Sequence, residues 1–251
     1  AGPEPSLHER SVAVLANELR VASAWGARYV NVHVGSHRES GVEAGIDNLA
    51  SGLRDALRDA ADGAGDDAAS VVVVLENGSG TGSGMGTTIE ELARIDDALA
   101  AAGIGRERLA FCLDAAHLWG AGYGIDAPTG VDAVLADFDS RIGLERLALV
   151  HLNDSRSECG SRSDRHEHLG AGLIGARGLT RLLTHPGLDS TTFILETPGM
   201  DEGYDLVNMD RARDLVAGRP LPALPPAAFE TLSARGRSAP PDDDSPAGDR
   251  G

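Results

Sequence analysis

A short polar segment, Val150–His166, carries three side chains of the kinds that bind zinc. His151 lies near the end of an apolar run, and Asp164 and His166 are two residues apart in the loop that follows. In an extended loop, that spacing lets both side chains converge on one ion. The segment therefore indicates a zinc site, and the structural alternative is a polar loop with two solvent-exposed histidines.

The same arrangement recurs along the chain, because five short apolar runs each carry a possible metal ligand at or near their ends. The runs are Tyr29–Val34 with His33, Val71–Glu76 with Glu76, Leu109–Asp114 with Asp114 and then His117, Leu147–Leu152 with His151, and Thr192–Glu196 with Glu196. Continuous apolar runs predict strands buried on both faces of a parallel sheet. Unpaired buried charges cost several kcal/mol, which favours metal ions as partners of these groups.

Helical segments rich in alanine, leucine and arginine separate the apolar runs. They are Glu9–Trp25, Val42–Ala61, Thr88–Ala102, Val131–Asp139 and Ala176–Leu183. This alternation predicts an α/β fold with right-handed crossovers, and an α/β barrel displays its chemistry at the carboxyl ends of its strands. We expect a partial (β/α) barrel over residues 1–232. Residues 233–251 are rich in proline, glycine and aspartate and are expected to be disordered.

The composition limits the classes of partner. A net charge of −17 over 251 residues argues against a general affinity for nucleic acid. Zinc ions bound by the predicted ligands would nevertheless make the pocket locally cationic, so a phosphodiester remains a possible substrate. No apolar run approaches the roughly 18 residues that a membrane span requires. The two cysteines form no disulfide framework, so we expect a reduced, cytoplasmic protein.

Several of these segments together resemble one protein family. His151–His166 resembles, at every signature position, the third signature of the endonuclease IV family of zinc-dependent abasic-site endonucleases. The other similar segments are Phe111–His117, Val32–His37, Glu76–Gly86 and Leu195–Thr197. Ala115 and Ala116 replace the Thr and Cys of the family's second signature, and Val34 replaces a proline.

The resemblance implies a TIM (β/α)8 barrel, of which about five βα units are present, and a trinuclear zinc site. It also implies hydrolysis of the phosphodiester 5′ to abasic sites in damaged double-stranded DNA, and removal of 3′ blocking groups. By position, Glu76 would bridge the first and second ions, Asp114, His151 and Glu196 would complete the second, His117, Asp164 and His166 would hold the third, and His33 would bind the first. Glu76 and Glu196 are the expected catalytic residues. Arg165 is expected to contact a DNA phosphate, unless it is only an exposed loop arginine.

One part of the family pattern is absent. The first signature, His-x-x-Tyr-x-x-Asn-Leu, is expected immediately before Ala1, because Gly2–Arg10 resembles the linker that follows it. We therefore expect an incomplete first zinc site. A metal-dependent sugar isomerase or epimerase on a similar barrel is one alternative, and an inactive truncated homologue is another. His117 and the Asp164-x-His166 pair supply more metal ligands than such an isomerase needs. The sequence implies no obligate protein partner.

Overall fold

Five parallel strands form the central sheet of the computed structural model, which describes residues 1–64 and 70–234. They are β1 (Tyr29–His33), β2 (Val72–Glu76), β3 (Leu109–Asp114), β4 (Leu147–Leu152) and β7 (Thr192–Leu195). Their order in the sheet follows their order in the chain. A small antiparallel ribbon joins β5 (Asp154–Ser155) to β6 (His166–Glu167). The five predicted strands are confirmed, and together they make the predicted partial barrel sheet.

The helices follow the strands as α/β alternation requires. They are α1 (Pro5–Ala24), α2 (Val42–Ala64), α3 (Ile89–Ala101), α4 (Ala115–Ala121), α5 (Pro128–Arg141), α6 (Gly175–Leu183), α7 (Tyr204–Val216) and α8 (Ala227–Ala234). The five predicted helices are present, but α1 begins at Pro5 rather than Glu9, because proline is pre-organised for the first helical position. The prediction missed α4, α7 and α8. Since α8 ends at Ala234, the first two residues of the predicted disordered tail are helical, and residues 235–251 lie outside the described residues.

Two-residue alternation along the strands divides the sheet into two faces. The outer face carries the large side chains, such as Leu75, Phe111 and Val150, which belong to the main core with the helices. The inner face carries a small separate cluster that includes Val74 and Cys112. Because side chains alternate, residues two positions further along the same strands also face inward, at the carboxyl edge of the sheet. The alternation of side chains along the strands therefore places the candidate site on the inner face, at the carboxyl edge of the sheet.

The two outermost strands differ from the other three. The strands β2, β3 and β4 are almost entirely buried, as predicted for strands covered on both faces. The prediction is wrong for β1 and β7, which are partly exposed, with Ile194 of β7 40% accessible. Each of these strands has one neighbouring strand in the described part of the sheet, and this explains the exposure. No helix among the described residues combines the length and apolarity needed to cross a bilayer.

Candidate metal centre

The predicted ligands meet at the carboxyl edge of the sheet, on its inner face. Strand register places His33 opposite Glu76 and Asp114 opposite His151. Glu196 directly follows β7, and its backbone N–H donates to the carbonyl of Leu152 at the end of β4. The carboxyl ends of all five strands lie along one edge of the sheet. Candidate ligands that are far apart in sequence therefore lie close together.

A central group forms around His151, whose Nδ1 atom faces three carboxylates. This nitrogen lies 3.2 Å from Oε1 of Glu76, 3.4 Å from Oε1 of Glu196 and 3.7 Å from Oδ2 of Asp114. Glu76, Asp114 and His151 are buried, whereas 40% of the Glu196 side chain is exposed. The group contains the set that the resemblance assigns to the second ion, and Glu196 is its solvent-facing member.

A second group gathers around the carboxylate of Asp164. Its oxygens lie 3.3 Å from Nε2 of His117 and 3.0 Å from Nε2 of His166. The Nδ1 atoms of the same histidines lie 2.9 Å from the backbone carbonyl of Asn77 and 2.8 Å from that of Glu196, respectively. A carbonyl can only accept, so both Nδ1 atoms carry protons and both Nε2 atoms point toward Asp164. Metal-binding histidines commonly donate their other ring N–H in this way.

The group around His33 is poorer in ligands. Its Nε2 atom lies 3.8 Å from Oε2 of Glu76, and 70% of its side chain is exposed. His117 completes a cluster with these two residues. However, the His117 atom that lies 3.2 Å from Glu76 is Nδ1, which already donates to the Asn77 carbonyl. Of this cluster, His33 and Glu76 thus retain ligand atoms for a first ion.

The short helix α4 holds two of the ligands at a tight strand-to-helix junction. Asp114 is both the last residue of β3 and the N-cap of α4, and its Oδ1 atom accepts the backbone N–H of His117 at 2.8 Å. This capping bond satisfies a helix N–H that would otherwise lack a partner. It also fixes His117 one helical turn above Asp114.

Carboxylates and imidazoles shift each other's pKa values in this site. Burial raises the pKa of Glu76, but the adjacent imidazoles of His117 and His151 outweigh it and hold that pKa well below its usual range. Burial lowers the pKa of His117, but the adjacent carboxylates of Asp164 and Glu76 outweigh it and raise the pKa to about 11. Carboxylate oxygens and imidazole nitrogens converging on shared points are a donor set that fits zinc.

These pKa shifts predict how zinc binding depends on pH. The raised pKa of His117 stabilises the metal-free fold fully below about pH 6.5, and this contribution is lost as the pH rises through about 11. Zinc must displace such protons, so its apparent affinity should rise about tenfold per pH unit for each proton displaced. We expect the increase in melting temperature caused by zinc to grow between about pH 6 and 8. A zinc affinity independent of pH in this interval, measured by competition with a chelator, would contradict the expectation.

Three asparagines outside the predicted ligand set contact Glu76 or Asp114, two through the carboxylate and one through the backbone. Asn31 donates to Oε2 of Glu76 at 2.7 Å, and Asn153 donates to Oδ2 of Asp114 at 2.7 Å. Asn77 accepts the backbone N–H of Asp114 at 2.7 Å. The available sequence signal was parity, because Asn31 and Asn153 lie two residues from His33 and His151.

A cleft of about 260 Å³ opens between the glycine-rich loop after β2 and the loop that carries Asp164. Glu76, His117 and Asp164 line it. Arg162 fastens the two loops, because its Nε atom donates to the carbonyl of Gly80 at 2.7 Å. Arg165 is exposed beside Asp164. A ligand in this cleft would contact one carboxylate of the central group and two candidate ligands of the group around Asp164.

Comparisons with known proteins agree with this architecture. A family model described as a xylose isomerase-like TIM barrel matches residues 1–219. The "Probable endonuclease 4" of Methanoculleus marisnigri is 40% identical over 215 residues, which are 86% of this chain and 73% of that protein. Its counterpart in Haloarcula marismortui is 38% identical over 217 residues, covering 85% of this chain and 72% of that protein.

Solved structures give the same result. Endonuclease IV from Thermus thermophilus superposes with a TM-score of 0.71 at 38% identity, over 86% of this chain and 72% of that one. A D-tagatose 3-epimerase-like protein superposes with a TM-score of 0.62 at 20% identity, over 86% of this chain and 73% of that one, and shares the fold alone. From its sequence, its fold and the grouping of its candidate ligands, the chain belongs to the endonuclease IV family of xylose isomerase-like TIM barrels.

Proposed function

We propose that this protein is a zinc-dependent DNA-repair endonuclease that hydrolyses the phosphodiester 5′ to abasic sites in double-stranded DNA and removes 3′ blocking groups. The observation that carries the proposal is the group of His117, Asp164 and His166, which adds a further set of ligands to the central one. Relatives named endonuclease 4 or endonuclease IV support it.

The residues present would hold zinc in the two well-formed groups. Glu76 and Asp114 are buried anions at the floor of the site, and they offset the charge of bound cations. When bound, zinc supplies Lewis acidity, which counters the negative charge of a phosphodiester and makes water more acidic. This chemistry fits phosphodiester hydrolysis.

Glu196 is suited to proton transfer in such a reaction. It is the carboxylate of the central group that solvent reaches, and burial raises its pKa. A water molecule can therefore approach this carboxylate, and a carboxylate within hydrogen-bond reach of an attacking water can accept its proton. Glu76, by contrast, is buried, and its carboxylate lies between the imidazoles of His117 and His151.

The exposed arginines of the loop before β6 would orient the DNA. Arg156, Arg162 and Arg165 are all exposed in the segment that ends at the ligand His166. Arginine contacts phosphate oxygens through its planar fork, and such contacts fix the register of a protein on the duplex. Arg165 lies between the candidate ligands Asp164 and His166, so it is placed to contact a phosphate held at the metal centre.

A duplex containing one tetrahydrofuran abasic analogue tests the proposal. This analogue cannot undergo β-elimination, so its cleavage reports hydrolysis. The expected product is a single nick 5′ to the analogue with a 3′-hydroxyl end, formed with zinc and lost after chelation. The undamaged duplex is the control. Interconversion of keto and aldo sugars without nicking would favour the isomerase alternative, and zinc binding with neither activity would favour an inactive homologue.

A further inference from the structure

Asn153 is a buried side chain in which both ends of the amide are used. It follows β4, two residues after His151, and its exposed fraction is 0%. Its Nδ2 atom donates to Oδ2 of Asp114 at 2.7 Å, and its Oδ1 atom accepts the backbone N–H of Ala116 at 2.8 Å. One amide thus spans the β3–α4 junction, where two candidate ligands lie.

The first of these bonds controls a ligand of the central group. A terminal carboxylate can rotate about its last side-chain bond unless both oxygens are held. Oδ1 of Asp114 accepts from the backbone of His117, and Oδ2 accepts from Asn153. The plane of the Asp114 carboxylate is therefore fixed, with Oδ2 3.7 Å from Nδ1 of His151. Hydrogen bonds of this kind set the direction in which a carboxylate offers its remaining lone pairs.

The hydrogen bond to Ala116 and a contact with His166 connect Asn153 to the group around Asp164. The Ala116 N–H that Asn153 accepts belongs to the residue immediately before His117, in the first turn of α4. The same Nδ2 atom lies 3.3 Å from Nε2 of His166. Asn153 thus contacts His166 directly and holds the helical turn that carries His117.

We propose that Asn153 is a positioning residue shared by the central group and the group around Asp164. Its amide holds Asp114 and His117 at fixed positions relative to each other. This inference rests on the proposed zinc centre. Asparagine is the residue type that the geometry requires, because the position needs a donor toward Asp114 and an acceptor toward Ala116. Aspartate offers the acceptor but no donor, and it adds a negative charge beside Asp114.

The test compares Asn153→Asp and Asn153→Ala with a matched control, Asn208→Ala. Asn208 is equally buried and donates to Nδ1 of His168 and to the carbonyl of Tyr204, neither of which is a candidate ligand. Three quantities are measured for each variant: the zinc dissociation constant, the visible spectrum of the cobalt-substituted protein, and the melting temperature of the metal-free protein.

We expect both Asn153 variants to bind zinc roughly 10- to 100-fold more weakly and to show an altered cobalt spectrum. Both should also lower the melting temperature of the metal-free protein, Asn153→Ala because the Ala116 N–H loses its acceptor, and Asn153→Asp because a second carboxylate then lies beside the buried Asp114. Asn208→Ala should lower the melting temperature and leave the zinc affinity unchanged.

Two results would overturn the proposal. One is zinc affinity in Asn153→Asp equal to that of the parent, which would reduce the role of Asn153 to capping α4. The other is an equal loss of zinc in Asn208→Ala, which would show that any buried asparagine has the same effect. A parent protein that binds zinc but leaves abasic DNA intact would overturn the proposed nuclease function while the role of Asn153 remained supported by these measurements.

Discussion

Replacing Glu76 by glutamine is expected to lower the rate of cleavage of abasic-site DNA roughly a hundred- to a thousandfold. The Oε1 atom of Glu76 lies 3.2 Å from Nδ1 of both His117 and His151, and its Oε2 atom accepts from Asn31 at 2.7 Å. Glutamine has nearly the same shape but lacks the charge. The substitution therefore removes the anion around which the site is built and largely preserves packing.

Glu167→Gln is the matched control for this substitution. Glu167 is also buried and lies on β6 beside a candidate ligand, but its Oε1 atom accepts the backbone N–H of His168, a bond that glutamine can keep. We expect its cleavage rate to stay within a few-fold of the parent, and Glu196→Gln to lose activity as Glu76→Gln does. The readout is single-turnover nicking of the tetrahydrofuran duplex at equal zinc content. Full turnover by Glu76→Gln would show that the carboxylate has no part in the reaction.

The strands and the candidate ligands at their ends could be predicted from the sequence because one local pattern indicates both. An apolar run such as Val71–Glu76 shows where a buried strand lies, and its polar last residue shows where the carboxyl edge is. Parallel strands bring these edges together, so Glu76 and His151 meet across 75 residues of chain. The order and type of the strands are therefore enough to predict that these two side chains lie close together.

Other features depend on neighbours that the local sequence does not reveal. Asn153 orients Asp114 across 39 residues. Its spacing from His151 indicates that it faces the same side of the sheet, but not which residue it contacts. The choice of ring nitrogen in His117 depends on a carbonyl 40 residues away. The helix α4 has seven residues, too few for a clear helical period, although it directly follows the candidate ligand Asp114. The exposure of β1 and β7 reflects their places at the ends of the sheet and not their own residues.

The ring nitrogens also bear on how the ligands are divided between ions. Distances alone allow His117 to join Glu76 and His33, or Asp114 and His166. Because Nδ1 donates its proton to the Asn77 carbonyl, Nε2 is the atom that can bind a metal once its own proton is displaced, and that atom faces Asp164. This supports the division that the family resemblance implies, in which His117 belongs with Asp164 and His166.

The fully loaded protein comprising residues 1–251 is accordingly expected to hold closer to two zinc ions than three. The central group and the group around Asp164 each offer at least three ligand atoms, whereas the group around His33 offers its own Nε2 atom and a shared oxygen of Glu76. His33 is also largely exposed, so water competes with it for any ion. Zinc sites with so few protein ligands are weak.

Single substitutions should remove the two ions separately. His151→Ala deletes the nitrogen at the centre of one group, and Asp164→Ala deletes the carboxylate that joins both imidazoles of the other. Each is expected to lower the zinc content by about one ion, measured by elemental analysis after equilibrium dialysis, and the double variant should retain almost none. Asn208→Ala, outside both groups, should retain the parent value. Three tightly bound ions in the parent would mean that the first group has a ligand other than His33 and Glu76, and loss of both ions from either single variant would mean that the two groups form one cooperative site.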